Sequence, residues 1–224
     1  PMSGRTRQSY GLMAHAPANS GARSVPARRP SAASGSICRM TRSLPSRVEA
    51  TTPVRLDLAG GTLDIWPLYL TLPPPARTVN VALELPARAT VEVAEGGAPT
   101  VRIVSRDRGV EATYADLADL RRALQRGVGP LRLLARAIDA LAPGRGLTLT
   151  TEAQSAVGAG LGGSSGLLIA VLGALSRFEG RSSDAHALRA LAQDLEAWLL
   201  RTPTGYQDYY PPLLGGCLTI EGRP

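Results

Sequence analysis

Residues 157–166 read Val157-Gly-Ala-Gly-Leu-Gly-Gly-Ser-Ser-Gly166, with five glycines in ten positions. A β-branched stretch, Gly146 to Ala153, precedes them, and the apolar run Leu167 to Leu175 follows directly. The expected order is strand, glycine-rich turn, helix. Glycines let the main chain approach a bulky anion, and the first turn of a helix adds unpaired N–H donors and the positive end of its dipole. A di- or triphosphate suits such a loop. A plain strand end with Ser164 or Ser165 as helix N-cap needs fewer glycines than this.

Two other patterns share these residues. Gly158, Gly160 and Gly163 have the G-x-G-x-x-G spacing of dinucleotide folds, but the acid expected about 20 positions on is not followed by a second parallel strand. Gly162-Gly-Ser-Ser-Gly166 fits G-x-S-x-G, which would make Ser164 the nucleophile of a serine hydrolase. His186 follows on a helix about 22 residues later, without room for the usual intervening acid. All 25 basic residues are Arg, which excludes a phosphate loop ending in Gly-Lys-Ser/Thr.

Upstream of the loop, alternating runs read as strands: Thr51 to Ala59, Val79 to Leu85, Ala89 to Ala94, Val101 to Ser105 and Gly146 to Ala153. Helices are expected over Tyr114 to Gln125, Pro130 to Leu141, Ser164 to Phe178 and Asp184 to Leu200, and a last strand over Gly216 to Ile220. Strands first and helices later predict an α+β fold with a largely antiparallel sheet.

The net charge of +7 is uneven: residues 1–48 hold eight Arg and no acid, and the rest carries 17 Arg against 18 acids. That near-neutral remainder argues against a nucleic-acid partner. Residues 1–46, rich in Ser, Pro, Ala, Gly and Arg without apolar periodicity, are expected to be a disordered basic extension. Two cysteines, Cys38 and Cys217, make neither a disulfide framework nor a four-ligand zinc site, so a reducing, cytoplasmic setting is expected. No apolar run approaches the roughly 20 residues that span a bilayer, so no membrane partner is expected. Oligomeric state leaves no sequence signal.

Two further segments carry carboxylates. In Thr52-Pro-Val-Arg-Leu-Asp-Leu-Ala-Gly-Gly-Thr-Leu-Asp64, Arg55 and Asp57 alternate with apolar residues on a strand, ahead of a Gly-Gly turn and Asp64. As architecture, this is a half-buried strand with charges on its polar face. As chemistry, Arg55 stabilises developing phosphoryl charge and Asp64 accepts hydrogen bonds from a polyol. Near the end, Glu196 lies on a helix that Pro203 breaks, and Asp208 comes just beyond Gly205. A carboxylate there suits proton removal from a hydroxyl, and an acid with a hydroxyl suits magnesium.

In this order the three segments resemble the GHMP kinase family, named for galactokinase, homoserine kinase, mevalonate kinase and phosphomevalonate kinase. Gly160-Leu-Gly-Gly-Ser-Ser165 is similar to the family's phosphate loop. Gly205-Tyr-Gln-Asp208 resembles its catalytic-aspartate loop. The Arg55 to Asp64 segment resembles its substrate motif, in the variant of fucokinases and heptose-phosphate kinases; galactokinases carry Glu-His where this chain has Gly61-Thr62.

The resemblance implies a fold like the second domain of ribosomal protein S5, with ATP and Mg2+ as cofactors and a sugar or sugar phosphate as acceptor. Mevalonate- or homoserine-type acceptors are the alternative. It implies that Gly158, Ala159, Gly160, Leu161, Gly162, Gly163, Ser164 and Ser165 wrap the ATP phosphates, and that Ser164 and Glu196 hold the metal. Asp208 would be the base beside Arg55, and Asp57, Thr62, Asp64, Gly205 and Tyr206 would meet the acceptor. The family also has a second half with a third glycine-rich motif, for which Gly127 to Gly129 comes too early. The expectation is therefore an N-terminal portion, residues 47–224, inactive by itself.

Overall fold

A cross-strand row of Val48, Val91, Leu149 and Ile103, all buried, runs beside a row of Arg47, Glu92, Thr148 and Arg102 that points the opposite way. That alternation is the mark of a sheet covered on one face. The computed structural model describes residues 43–222 except residue 128. Of the expected basic extension, residues 1–42 lie outside the described residues, and residues 43–46 form no helix or strand.

Strand β1 (Arg47–Ala59) pairs antiparallel with β2 (Ala76–Val93) along most of its length, from Glu92 back to Val79. The second edge of β2 is shared between β6 (Cys217–Gly222) on its first half and β5 (Leu147–Ala153) on its second, both antiparallel. β5 runs parallel to β3 (Val101–Ser105), and β3 forms a hairpin with β4 (Val110–Tyr114). The order is β1-β2-β5-β3-β4, with β6 beside β2.

Helix α3 (Gly163–Phe178) lies on β1 and β2, flanked by α2 (Arg132–Leu141) and α4 (Ala185–Leu200); α1 (Leu117–Arg126) packs on α2. From Ser165 to Phe178 only Gly173 and Arg177 escape full burial. A helix apolar on every side belongs at the centre of the layers, which sets its N-terminus, and the glycine loop before it, against β1. A short helix, α5 (Tyr210–Leu214), starts with Pro211 and Pro212 in its first turn and leads to β6. Among the described residues no helix is long and apolar enough to cross a membrane.

Three local readings are corrected. The two runs expected at Val79 to Leu85 and Ala89 to Ala94 are one strand. Opposite residues 52–54 of β1 the register jumps from Ala87 to Leu83, so Pro86 sits within an irregularity where its missing N–H breaks no regular ladder. Tyr114 ends β4 rather than opening a helix; α1 begins later, where the Asp116 side chain accepts the Asp119 N–H at 2.7 Å. On β1 the charged face is turned inward: Arg55 and Asp57 are half-buried, whereas Leu56 and Leu58 are 40% and 55% exposed.

Candidate active site

The loop keeps its alternating glycines in the left-handed region, with φ of 79° at Gly158, 72° at Gly160 and 65° at Gly162, a conformation that side chains disfavour. Val157 to Gly160 are exposed, with Ala159 among them. Gly162 is the N-cap of α3 and no side chain caps the first turn, so the leading N–H groups of the helix remain available to an anion. Neither Ser164 nor Ser165 is the cap; both hydroxyls go elsewhere.

One side chain ties the loop to the acid. Arg55 donates through Nη1 to the Gly160 carbonyl at 2.8 Å, and through Nε and Nη2 to Asp208 Oδ1 at 3.1 and 2.6 Å. Its main-chain N–H donates to the Leu161 carbonyl at 3.0 Å. The strand therefore holds the loop by main chain and side chain together. Asp208 Oδ1 also lies 3.6 Å from where a Cβ on Gly162 would stand. The second carboxylate oxygen of Asp208 makes no hydrogen bond among the described residues. A fixed cation, an unengaged carboxylate oxygen and the glycine loop thus meet at one point.

Asp64 is fully buried beneath the segment that carries Asp208. Its Oδ2 accepts the Gln207 N–H at 2.6 Å, and Oδ1 has no partner among the described residues. A side chain at Gly205 would force the Asp64 carboxylate to shift, because its Cβ would stand 2.5 Å from Asp64 Oδ1. Burial pushes the Asp64 carboxyl up from 3.8 to about 6; the Gln207 amide opposes the rise, the Asp208 charge adds to it, and Arg55 opposes it again.

The folded chain therefore holds this proton more tightly than an unfolded chain does. Its contribution to stability is complete below about pH 4 and is lost as pH rises through about 6, by roughly 3 kcal/mol. Asp64→Asn is neutral throughout and is expected to escape that loss. In urea unfolding, the variant should gain roughly 2 to 3 kcal/mol on the wild type between about pH 4 and pH 7.5. A gap independent of pH would mean that Asp64 ionises in the folded chain as easily as in the unfolded one.

Glu196, on α4, is 4% exposed and accepts three hydroxyls: Ser164 at 2.6 Å on Oε1, Ser165 at 2.7 Å and Tyr209 at 2.9 Å on Oε2. Ser164 is exposed and Ser165 buried, so the Ser164–Glu196 Oε1 pair is the outward end of the group. Those oxygens are of the hard kind that magnesium takes, and no cluster of three or more His, Cys, Asp or Glu is found among the described residues. A magnesium ion held here would complete its shell with phosphate and water, its usual manner.

The remaining expected residues are less closely gathered. Asp57 pairs across the sheet with Asn80 and keeps a buried Oδ1 without a partner among the described residues. Thr62 is exposed in the turn after β1, where its carbonyl accepts the Ile65 N–H. Tyr206 lies under the Arg189 guanidinium, 5.0 Å from its ring centre, and beside Tyr210. His186 meets the Tyr210 ring, and the Ser164 hydroxyl goes to Glu196, so the Ser–His pairing a hydrolase needs is not formed among the described residues. Sequence reasoning passed over Gln207, which also donates its side-chain amide to the Gly61 carbonyl, and Tyr209. Their place on either side of Asp208 was the available signal.

Residues 131–216, which include the loop, Glu196 and Asp208, match the family model described as GHMP kinases N terminal domain. Over these residues the chain is similar to the N-terminal domain of the GHMP kinases. Over 190 residues it is 31% identical to the L-fucokinase/L-fucose-1-P guanylyltransferase of Bacteroides fragilis, covering 76% of this chain and 20% of that protein. A putative sugar kinase from Campylobacter jejuni superposes with a TM-score of 0.65 at 22% identity, covering 81% of this chain and 56% of that one. For a D-glycero-D-manno-heptose 1-phosphate kinase from Bacteroides thetaiotaomicron the TM-score is 0.60 at 23% identity, covering 78% and 59%. The chain thus spans a fifth of the fucokinase and somewhat more than half of each solved relative. At these identities the solved structures establish the fold, and the α+β GHMP kinase N-terminal domain is the one expected.

Proposed function

We propose that this chain is the nucleotide-binding and catalytic portion of an ATP- and Mg2+-dependent kinase that phosphorylates a hydroxyl of a sugar or sugar phosphate. The observation that carries the reading is the Arg55 bridge, which sets Asp208 against the glycine loop. In the mechanism, the loop amides and the first turn of α3 hold the polyphosphate, and Ser164 with Glu196 would hold a magnesium ion, whose charge would neutralise that of the phosphates. Asp208 takes the proton of the acceptor hydroxyl through its unengaged oxygen, while Arg55 stabilises charge on the transferring group. Asp64, buried beneath the Asp208 segment, keeps that segment in place from below and acts on the acceptor only through it.

A sugar-type acceptor is supported by the Gly60-Gly-Thr-Leu-Asp64 motif and by the likeness to a fucokinase. Thermal unfolding with ATP and MgCl2 tests the binding half of this reading. Nucleotide at 100 times its Kd stabilises the fold by about 2.7 kcal/mol, which raises the midpoint by roughly 5 to 10 °C. Protection should need both components. No protection at saturating ATP and Mg2+ would rule the reading out; where protection is seen, a turnover screen of monosaccharides and heptose phosphates names the acceptor.

A further inference from the structure

Tyr209 follows Asp208 directly, and its ring is entirely buried. Its hydroxyl lies 2.9 Å from Glu196 Oε2 and 2.9 Å from Thr204 Oγ1. A carboxylate only accepts, so the single phenol proton goes to Glu196 and the Thr204 hydroxyl donates to the phenol oxygen.

Glu196 itself is buried, yet it makes no ion pair among the described residues; three hydroxyls are its only partners. A buried carboxylate without a counter-charge is costly, and an incoming cation supplies that charge. The two oxygens are not equivalent. Oε2 is taken up by Ser165 and Tyr209, whereas Oε1 shares only the exposed Ser164.

We infer that Tyr209 is a positioning residue for the cation site: its phenol pins the inner oxygen of Glu196 to the segment that bears Asp208. Glu196 Oε1 and Ser164 are thereby presented as a fixed pair to a hard divalent cation. Cation occupancy and the setting of Asp208 are linked through one hydrogen bond. This rests on the proposed function, since it assigns a residue that orders the same metal pair.

Tyr209→Phe keeps the ring that fills the core and removes only the hydroxyl. The test is calorimetric binding of a non-hydrolysable ATP analogue to the whole chain over a series of MgCl2 concentrations. Loss of a group that orders a metal ligand commonly lowers metal affinity by about 10- to 100-fold. The variant should accordingly need about tenfold more Mg2+ for half-maximal nucleotide binding, with Mg2+-free nucleotide affinity unchanged. Thr204→Val, which removes the far end of the relay, should shift the midpoint in the same direction by less, and it decides the matter if Tyr209→Phe does not fold.

A lower melting temperature with an unshifted Mg2+ midpoint would mean a packing role only, and would overturn the inference while leaving the proposed function standing. A wild-type chain whose nucleotide binding ignores Mg2+ would overturn both.

Discussion

Asp208→Asn is expected to cut phosphoryl transfer by roughly 100- to 1,000-fold while nucleotide affinity stays within about threefold. Asparagine has nearly the same shape, and its carbonyl can still accept from Arg55, which now makes bonds of 3.1 and 2.6 Å to Asp208 Oδ1. What disappears is the ability to take a proton at the second oxygen. The proposed phosphate cradle, the main-chain amides of the loop and of the first turn of α3, is untouched. Turnover followed by ADP release, in a preparation that turns over, with Kd measured separately, checks both halves. Turnover close to that of the wild type would remove Asp208 from the chemistry and leave it as a tether for Arg55.

Gly60→Ala is expected to destabilise the fold by about 3 to 5 kcal/mol. The residue has φ of 100°, and an added Cβ would lie 2.3 Å from the Arg77 carbonyl oxygen and 2.7 Å from the Thr78 Cα. Both are backbone atoms of β2, so neither can swing aside. Gly61→Ala is the natural comparison: its φ is 54°, and the nearest atom to an added Cβ is Asp57 Oδ2 at 3.8 Å. Only the left-handed conformation is penalised there, at about 1 to 2 kcal/mol. Urea unfolding of the two variants should separate them clearly. Equal losses would show that β2 yields at this point and that close packing does not dictate Gly60.

The parts of the molecule that were readable in advance are those written in local backbone chemistry. Five glycines between a β-branched run and an apolar run announce strand, loop and helix whatever lies elsewhere. Alternation also showed β1, but not which of its faces is covered. Period two is the same for Leu outward and Arg inward, and the answer came from the loop that docks on Arg55. β4 carries Glu111 and Ala112, residue types that argue weakly for a strand, and Pro86 looked like a stop because its register shift depends on the partner strand.

For the site, the resemblance of three segments to a family's motifs pointed to Arg55, Asp208, Ser164 and Glu196, and the structure brings them into two bonded pairs. The contact of Asp64 with Gln207 joins positions 143 apart in the chain, and no local signal reports such a meeting. Tyr209 was overlooked for a related reason: next to an acid, a tyrosine reads as core until its hydroxyl is seen to have a charged partner.

Arg55 fastens three things at once: the Leu161 carbonyl by its main chain, the Gly160 carbonyl by one nitrogen, and Asp208 by two others. Its position along the strand is thus a ruler for the whole centre. Losing or gaining a single residue between Thr52 and Arg55 would turn the guanidinium to the opposite side of the sheet, and loop and acid would come unfastened together. Length changes at the Asp107–Gly109 bend, which opens onto solvent, carry no such penalty, so this fold tolerates insertion at one end of its sheet and forbids it at the other.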